Sequence, residues 1–204
     1  SNITSERLRF DFTHEEKLAI ARALDQLGID IIEAGFPVVS QGDFDACRDI
    51  SKLGLDLEVM GLARMKQLDI DKVIEADMDS IHVFIATSDL HMKSKLKMTR
   101  EEVLGQISEM VTYAKEHYDT VLFSAEDATR SELDFLIQAN ETAVEHGATR
   151  VNIPDTVGTI VPKAFGYIVG KVYEALPKDV RIAVHCHNDF GLGVANTIAG
   201  FENG

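Results

Sequence analysis

Apolar and polar positions follow one repeating rhythm along this chain: a short run rich in Val and Ile, a turn, then a longer amphipathic stretch. The short runs are 30–34 (DIIEA), 57–62 (LEVMGL), 80–86 (SIHVFIA), 120–124 (TVLFS), 149–153 (TRVNI) and 180–185 (VRIAVH). Each has the length and β-branched content of a buried strand. Helix signals stand between them. Thr13-His-Glu-Glu16 reads as a capping box, because a Glu three residues after a Thr cap can reach back to the cap's own amide. The helix it opens is expected to run to about Gln26 and to end at Gly28. Thr99-Arg-Glu-Glu102 repeats the signal and opens a helix to about His117. A third helix is expected from Arg130 to about Glu145, capped by Asp127 and closed by Gly147. Cys47 lies in a further helical stretch and reads as core, and Gly191-Leu-Gly193 reads as the opening of the last helix.

Strands alternating with helices at this spacing imply parallel βαβ units, six of them complete. A doubly wound sheet and a (β/α)₈ barrel both fit that count. The barrel is favoured, because no glycine-rich phosphate-binding turn follows the first strand. The expected fold is therefore α/β, a (β/α)₈ TIM barrel. Residues 1–204 are expected to form one domain of about six βα units. Segment 87–97 (TSDLHMKSKLK) is longer than a bare turn and follows a strand, on the face where barrel active sites lie. It is either a solvated loop with a lysine-bearing helical turn or a lid that touches ligand.

Composition excludes several functions. The 204 residues carry 34 acidic and 20 basic side chains, a net charge of −14. No basic face for nucleic acid is visible. An anionic ligand must find local cations or a metal, and the candidate cations are Arg64, Lys93, Lys95, Lys97 and Arg130. No apolar run reaches the roughly 18 residues of a membrane span, and no basic-then-apolar leader opens the chain. The two cysteines, Cys47 and Cys186, make no disulfide framework. A cytoplasmic protein without membrane or nucleic-acid partners is expected.

The sharpest chemical signal is Val184-His-Cys-His-Asn-Asp189. Residues i and i+2 of a strand point the same way, so His185 and His187 project together and can share one metal ion, while Cys186 faces the helix layer. A pair of packed or exposed histidines is the plain alternative. Ser124-Ala-Glu-Asp127 closes another strand, which puts Ser124 and Glu126 on one face at the same mouth. Asn152-Ile-Pro-Asp-Thr156 is either a Pro-Asp turn with a helix cap or a substrate contact through Asp155 or Thr156. His82, inside a strand, is either a core residue or an inward-facing ligand contact. Glu33 is a carboxylate in an apolar strand and needs a partner.

These segments, in this order, resemble one family. IEAGFPV, GLAR, HVFIATSDLHMKSKLKMTREE, FSAEDATR, NIPDTVG and HCHNDFGLGVANT look like the metal-dependent (β/α)₈ acyltransferases and lyases, and the 2-isopropylmalate synthases most of all. The likeness covers about residues 12–204. It implies a Claisen-type condensation: acetyl-CoA loses a methyl proton, the enolate attacks the ketone of a 2-oxo acid, and hydrolysis frees coenzyme A. For the isopropylmalate branch the acid is 3-methyl-2-oxobutanoate, in leucine biosynthesis. The same superfamily holds citramalate synthase, homocitrate synthase and hydroxymethylglutaryl-CoA lyase. The resemblance assigns His185 and His187 to a divalent metal, whether zinc, manganese, cobalt or magnesium. It assigns His82, Ser124, Thr156 and Arg64 to the substrate pocket and Glu126 to catalysis, and it implies a homodimer.

The departures from the pattern bear on the same site. The family's first strand ends in Leu-Arg-Asp-Gly-Glu-Gln, whose Arg polarises the ketone and whose Asp binds metal. Here the corresponding stretch is Arg7-Leu-Arg-Phe-Asp-Phe12. Arg9 is either the remnant of that catalytic arginine or a chance likeness, and Asp11 lies too close to the Thr13 cap to be the ligand. The later Gly-Glu-Arg-x-Gly-Asn segment, whose Asn binds metal, has no counterpart before Gly204. The sequence is therefore expected to be part of a longer catalytic domain and inactive alone. A degenerate barrel with an oligomeric or regulatory role is the non-catalytic alternative.

Overall fold

The computed structural model describes residues 12–204, together with the backbone pairing of two short N-terminal strands, β1 (Asn2–Ile3) and β2 (Leu8–Arg9), which run antiparallel. Helix α1 (His14–Leu27) follows. Then come β3 (Ile31–Gly35), α2 (Gln41–Ser51), β4 (Glu58–Arg64), α3 (Gln67–Glu75) and β5 (Ser80–Ala86). A single turn, α4 (Asp89–His91), runs into a π-helix over Met92–Leu96, and α5 (Arg100–Lys115) follows. The chain ends with β6 (Val121–Glu126), α6 (Leu133–Glu145), β7 (Arg150–Asp155), α7 (Pro162–Ala175), β8 (Arg181–Cys186) and α8 (Gly193–Asn203).

All six apolar runs are strands. They pair in parallel, each with the next in chain order, from β3 to β8. A doubly wound sheet would reverse its order at a switch point. This one never does, so it is barrel wall, and the (β/α)₈ expectation holds for about six βα units.

The two faces of the wall differ in kind. Val59, Ile81, Val83, Val121, Phe123, Val151 and Ile153 point outward and are buried against Ile70, Val73, Ile107, Val111, Leu136, Phe165 and Val169 of the helices. Residues one step along each strand, by period-two alternation, line the concave face and are polar: Glu58, His82, Ser124, Asn152 and His185. The curl of the wall shows in one ion pair. Arg150, at the start of β7, donates through both terminal nitrogens to Glu58, at the start of β4, at 2.8 and 2.9 Å. Three strand spacings would hold these backbones roughly 14 Å apart in a flat sheet. Among the described residues β3 and β8 are the open edges, and the inward residues of β8 (Arg181, Ala183, His185) are exposed.

Both capping boxes are present. Thr13 and Glu16 bond reciprocally, as do Thr99 and Glu102. The third helix corrects the expectation. It begins at Leu133, and its cap is Glu132, whose carboxylate accepts from the amides of Asp134 and Phe135. Asp127 does not cap it. A 3-10 turn at Ala128–Arg130 intervenes, and Asp127 takes a left-handed backbone (φ 66°) with a fully buried side chain.

The Glu58–Arg150 pair gives a pH test. Partial burial opposes ionisation of Glu58, but the hydrogen bonds from Arg150 and the charges of Arg150 and Arg181 outweigh it and hold the carboxyl below its ordinary value of 4.5. A depressed folded pKa contributes stability above the unfolded pKa, and the contribution is lost as pH falls through the folded value. Glu58→Gln should therefore lower unfolding free energy by about 1–2 kcal/mol at pH 7. The gap to wild type should close below pH 4.5, as read from urea midpoints across pH.

Candidate active site at the strand ends

The carboxyl ends of the strands surround a cavity of about 230 Å³. Its lining comes from every strand: Glu33 of β3, Leu62 of β4, His82 and Phe84 of β5, Ser124 and Glu126 of β6, Asn152 and Pro154 of β7, and His185 of β8. Thr156 and His187 complete it from just beyond their strands. The period-two rule thus carries inward residues of all six strands into one space.

His185 and His187 stand side by side, ring centroids 5.0 Å apart and planes inclined by 23°. The ladder reaches His187 through its amide, which donates to the Asp155 carbonyl at 3.2 Å. The turn that follows lies against the turn after β7. Gly158 (φ 65°) makes that approach possible, since a Cβ there would come within 2.5 Å of the Asp189 carboxylate and 2.9 Å of its amide. Partial removal from water, then the neighbouring His187 imidazole, hold His185 below its ordinary pKa; Glu33 opposes this and His82 adds to it. His185 is thus neutral at pH 7, the form whose lone pair binds metal. Cys186 points to the opposite side, against Gly193, Val194, Thr197 and Ile198.

The donor set can be tested against a divalent ion. Two imidazoles on one side of a strand suit one ion. Among the described residues no group of three or more His, Cys, Asp or Glu side chains could hold a metal. The described residues therefore fit as two ligands, half of a four-ligand sphere.

Two hydroxyls have their acceptor side occupied. Asn152 Nδ2 donates to Ser124 Oγ at 2.6 Å, and the Asp127 amide donates to Thr156 Oγ1 at 2.9 Å. Each keeps its proton for another partner. Asp155, the other candidate of its motif, is buried and serves the turn, accepting from Thr129, Gly158 and Asn196.

Segment 87–97 folds over the mouth. Lys95 Nζ donates to both carboxylate oxygens of Glu126, at 2.6 and 2.8 Å, and His91 Nδ1 stands 3.4 Å from the same group. Buried Asp127 accepts from Ser88 Oγ and, at 2.7 Å, from Arg130 Nε. Thr87 and Ser131 share a hydrogen bond of 2.7 Å. The π-helix places Lys95 against Glu126 and leaves Lys97 in a left-handed turn (φ 57°).

Arg64 is not in the cavity with the histidines. Its guanidinium grips Asp69 (Nε–Oδ2 2.5 Å) and lies over Phe36, 5.5 Å from the ring centre. It lines an adjoining cleft of about 330 Å³ that shares Phe84 and Glu126 with the first. Arg9 and Asp11 lie outside the residues whose side chains are described. Sequence reasoning left Leu62, Phe84, Asn152 and Pro154 without a role, although period two from His82 and Thr156 points to Phe84 and Pro154. It gave Glu33 only a need for a partner, and His91 carried no signal.

Comparison with known proteins now decides the family. The HMGL-like model matches residues 5–204. The chain belongs to the HMGL-like family. It is 54% identical over 195 residues to the 2-isopropylmalate synthase of Saccharolobus solfataricus, covering 95% of this chain and 50% of that protein. Homocitrate synthase AksA of Methanopyrus kandleri is 51% identical, over 95% of this chain and 48% of that one. The chain thus spans about half the length of these curated relatives. Among solved structures, hydroxymethylglutaryl-CoA lyase from Pseudomonas aeruginosa superposes with TM-score 0.83 at 18% identity, covering 97% of this chain and 69% of that one. At that identity the likeness concerns the fold, the HMGL-like barrel. No helix among the described residues is long and apolar enough to cross a membrane.

The Lys95 clasp should matter locally. The lysine is half-exposed, so Lys95→Met should cost less than about 1 kcal/mol of global stability. Amide exchange should accelerate across 89–98 and stay unchanged in β5 and β6, as read by hydrogen–deuterium exchange.

Proposed function

We propose that this chain is the central part of the catalytic barrel of a 2-isopropylmalate synthase, which joins acetyl-CoA to 3-methyl-2-oxobutanoate and releases coenzyme A. The observation that carries the reading is the convergence of His82, Ser124, Glu126, Thr156, His185 and His187 on one cavity, in a chain 54% identical to a protein of that name.

The cavity suits a short 2-oxo acid. The Ser124 and Thr156 hydroxyls, each with a proton to donate, are matched to its carboxylate. Leu62, Phe84 and Pro154 form the apolar wall for a branched side chain. His185 and His187 would hold the divalent ion, whether zinc, manganese, cobalt or magnesium, which when bound polarises the ketone and stabilises charge on its oxygen. Glu126 is the carboxylate we assign to catalysis, held at the rim by Lys95 where the thioester donor would enter. The remaining ligands and the Arg9 role belong to parts of the site outside the described side chains.

We place the missing barrel units at the two open edges. The last helix presents Val194, Ile198 and Phe201 outward at helical spacing, all exposed, and Phe190 of the turn before it is exposed as well; the inward face of β8 is uncovered beside it. Further βα units packed there would close the wall and cover both. A homodimer and a cytoplasmic location are part of the same reading. A homocitrate synthase is the second reading, favoured by the 51% identity to AksA.

The test is coenzyme A release by the full-length protein with acetyl-CoA and a panel of 2-oxo acids. Preference for 3-methyl-2-oxobutanoate is expected. Preference for 2-oxoglutarate or pyruvate would move the protein to the homocitrate or citramalate branch, and no release with any acid would end the synthase reading. Metal analysis should find one divalent ion per chain, lost in a His185→Ala/His187→Ala double variant.

A further inference from the structure

Glu33 has no task in the chemistry above, yet it is the carboxylate that β3 points into the cavity. Its Oε1 meets Nδ1 of His82 across the intervening β4. Strands two apart lie roughly 10 Å from one another in a flat sheet, so the contact depends on the same curl that joins Glu58 to Arg150. An ionised carboxylate has acceptors only, and the hydrogen must therefore sit on Nδ1. The other ring atom, Nε2, is buried and has no hydrogen-bond partner among the described residues. It belongs to a side chain that lines the cavity beside His185 and is 8% exposed as a residue. An unpartnered buried polar atom costs about 1–3 kcal/mol, which is tolerated where a ligand completes it.

We infer that Glu33 is a positioning residue: it holds His82 as the Nδ1–H form, so that Nε2 faces the cavity as a hydrogen-bond acceptor for the hydroxyl of a 2-hydroxy acid. The inference rests on the proposed synthase reading in one respect, the ligand. Condensation turns a ketone, which has no proton to donate, into an alcohol, which has one. A ring fixed in this form can accept only from the hydroxyl of the product, whereas a ring flipped to Nε2–H could donate to the ketone oxygen and to the hydroxyl oxygen alike. Glu33→Gln is the informative change, because its amide can donate to Nδ1 and so stabilise the flipped form at nearly constant shape.

The experiment is nitrogen NMR of the histidine-labelled full-length protein, with the His82 signals assigned by their loss in His82→Gln, beside its steady-state kinetics. In wild type, His82 should carry its proton on Nδ1, and Glu33→Gln should move it to Nε2. In the full-length enzyme Glu33→Gln should lower kcat by about tenfold or more with KM for the 2-oxo acid within about twofold, and Glu33→Asp should recover part of the loss. An Nε2–H ring in wild type overturns the inference, as does a Glu33→Gln variant with unchanged ring and unchanged kcat. If no 2-oxo acid is turned over, the functional reading fails separately, and the ring measurement still decides: a switch with Glu33→Gln supports the positioning role and no switch refutes it.

Discussion

The alternation of a parallel strand, repeated six times on a curled wall, is the constraint on which the rest of this molecule depends. One set of side chains is apolar and packs on the helices; the set between shares the concave side and mixes the polar Glu33, His82, Ser124 and Asn152 with Leu62, Phe84 and Pro154. The curl then shortens distances that sequence makes long. Glu58 and Arg150 are 92 residues apart and exchange two hydrogen bonds. Glu33 and His82 are 49 apart and touch. The first pair occupies the first residue of each of its strands and the second pair the third residue of its own. Outside the wall, burial is almost wholly apolar.

Above the wall a different physics operates. The turns after β5, β6 and β7 are tied by hydrogen bonds among polar groups, and Asp127 is their knot. A left-handed backbone costs a non-glycine residue about 1 kcal/mol, and here the buried carboxylate accepts from Ser88 and Arg130 while its amide reaches Thr156. The conformation turns the chain so that Glu126, one residue earlier, stays at the cavity rim for Lys95. The cations around this rim are paired with carboxylates, Lys95 with Glu126 and Arg130 with Asp127.

The wall was legible because period two and β-branched runs are local signals. Every strand lies where its apolar run stands, and both capping boxes close as their spacing dictates. The third helix was misplaced for a local reason as well. Asp127 has the chemistry of a cap, but tertiary partners took its carboxylate, and Glu132 capped the helix from five residues further on. The inward set could be read from His82 and Ser124 by stepping two residues, which reaches Phe84 and Glu126. Partners across the curl could not, because no pattern along the chain links Glu33 to His82 or Glu58 to Arg150. The segment at 87–97 showed its length and its lysines, while its π-helical turn depends on the Glu126 carboxylate it meets.

The two histidines illustrate how such half-local signals should be weighed. Their common direction follows from strand geometry alone. Imidazoles bind metal only while neutral, and partial removal from water and the imidazoles beside it hold the His185 pKa below its ordinary value. Gly158 is a second condition, because it lets the β7 turn lie against the turn beyond His187. A His-x-His pair on a free strand would lack both conditions. Here neighbouring strands impose them, and they leave Glu33 and His82 close enough to His185 to influence its charge. The carboxylate of β3, His82 and the two histidines therefore form one contiguous polar set along the cavity.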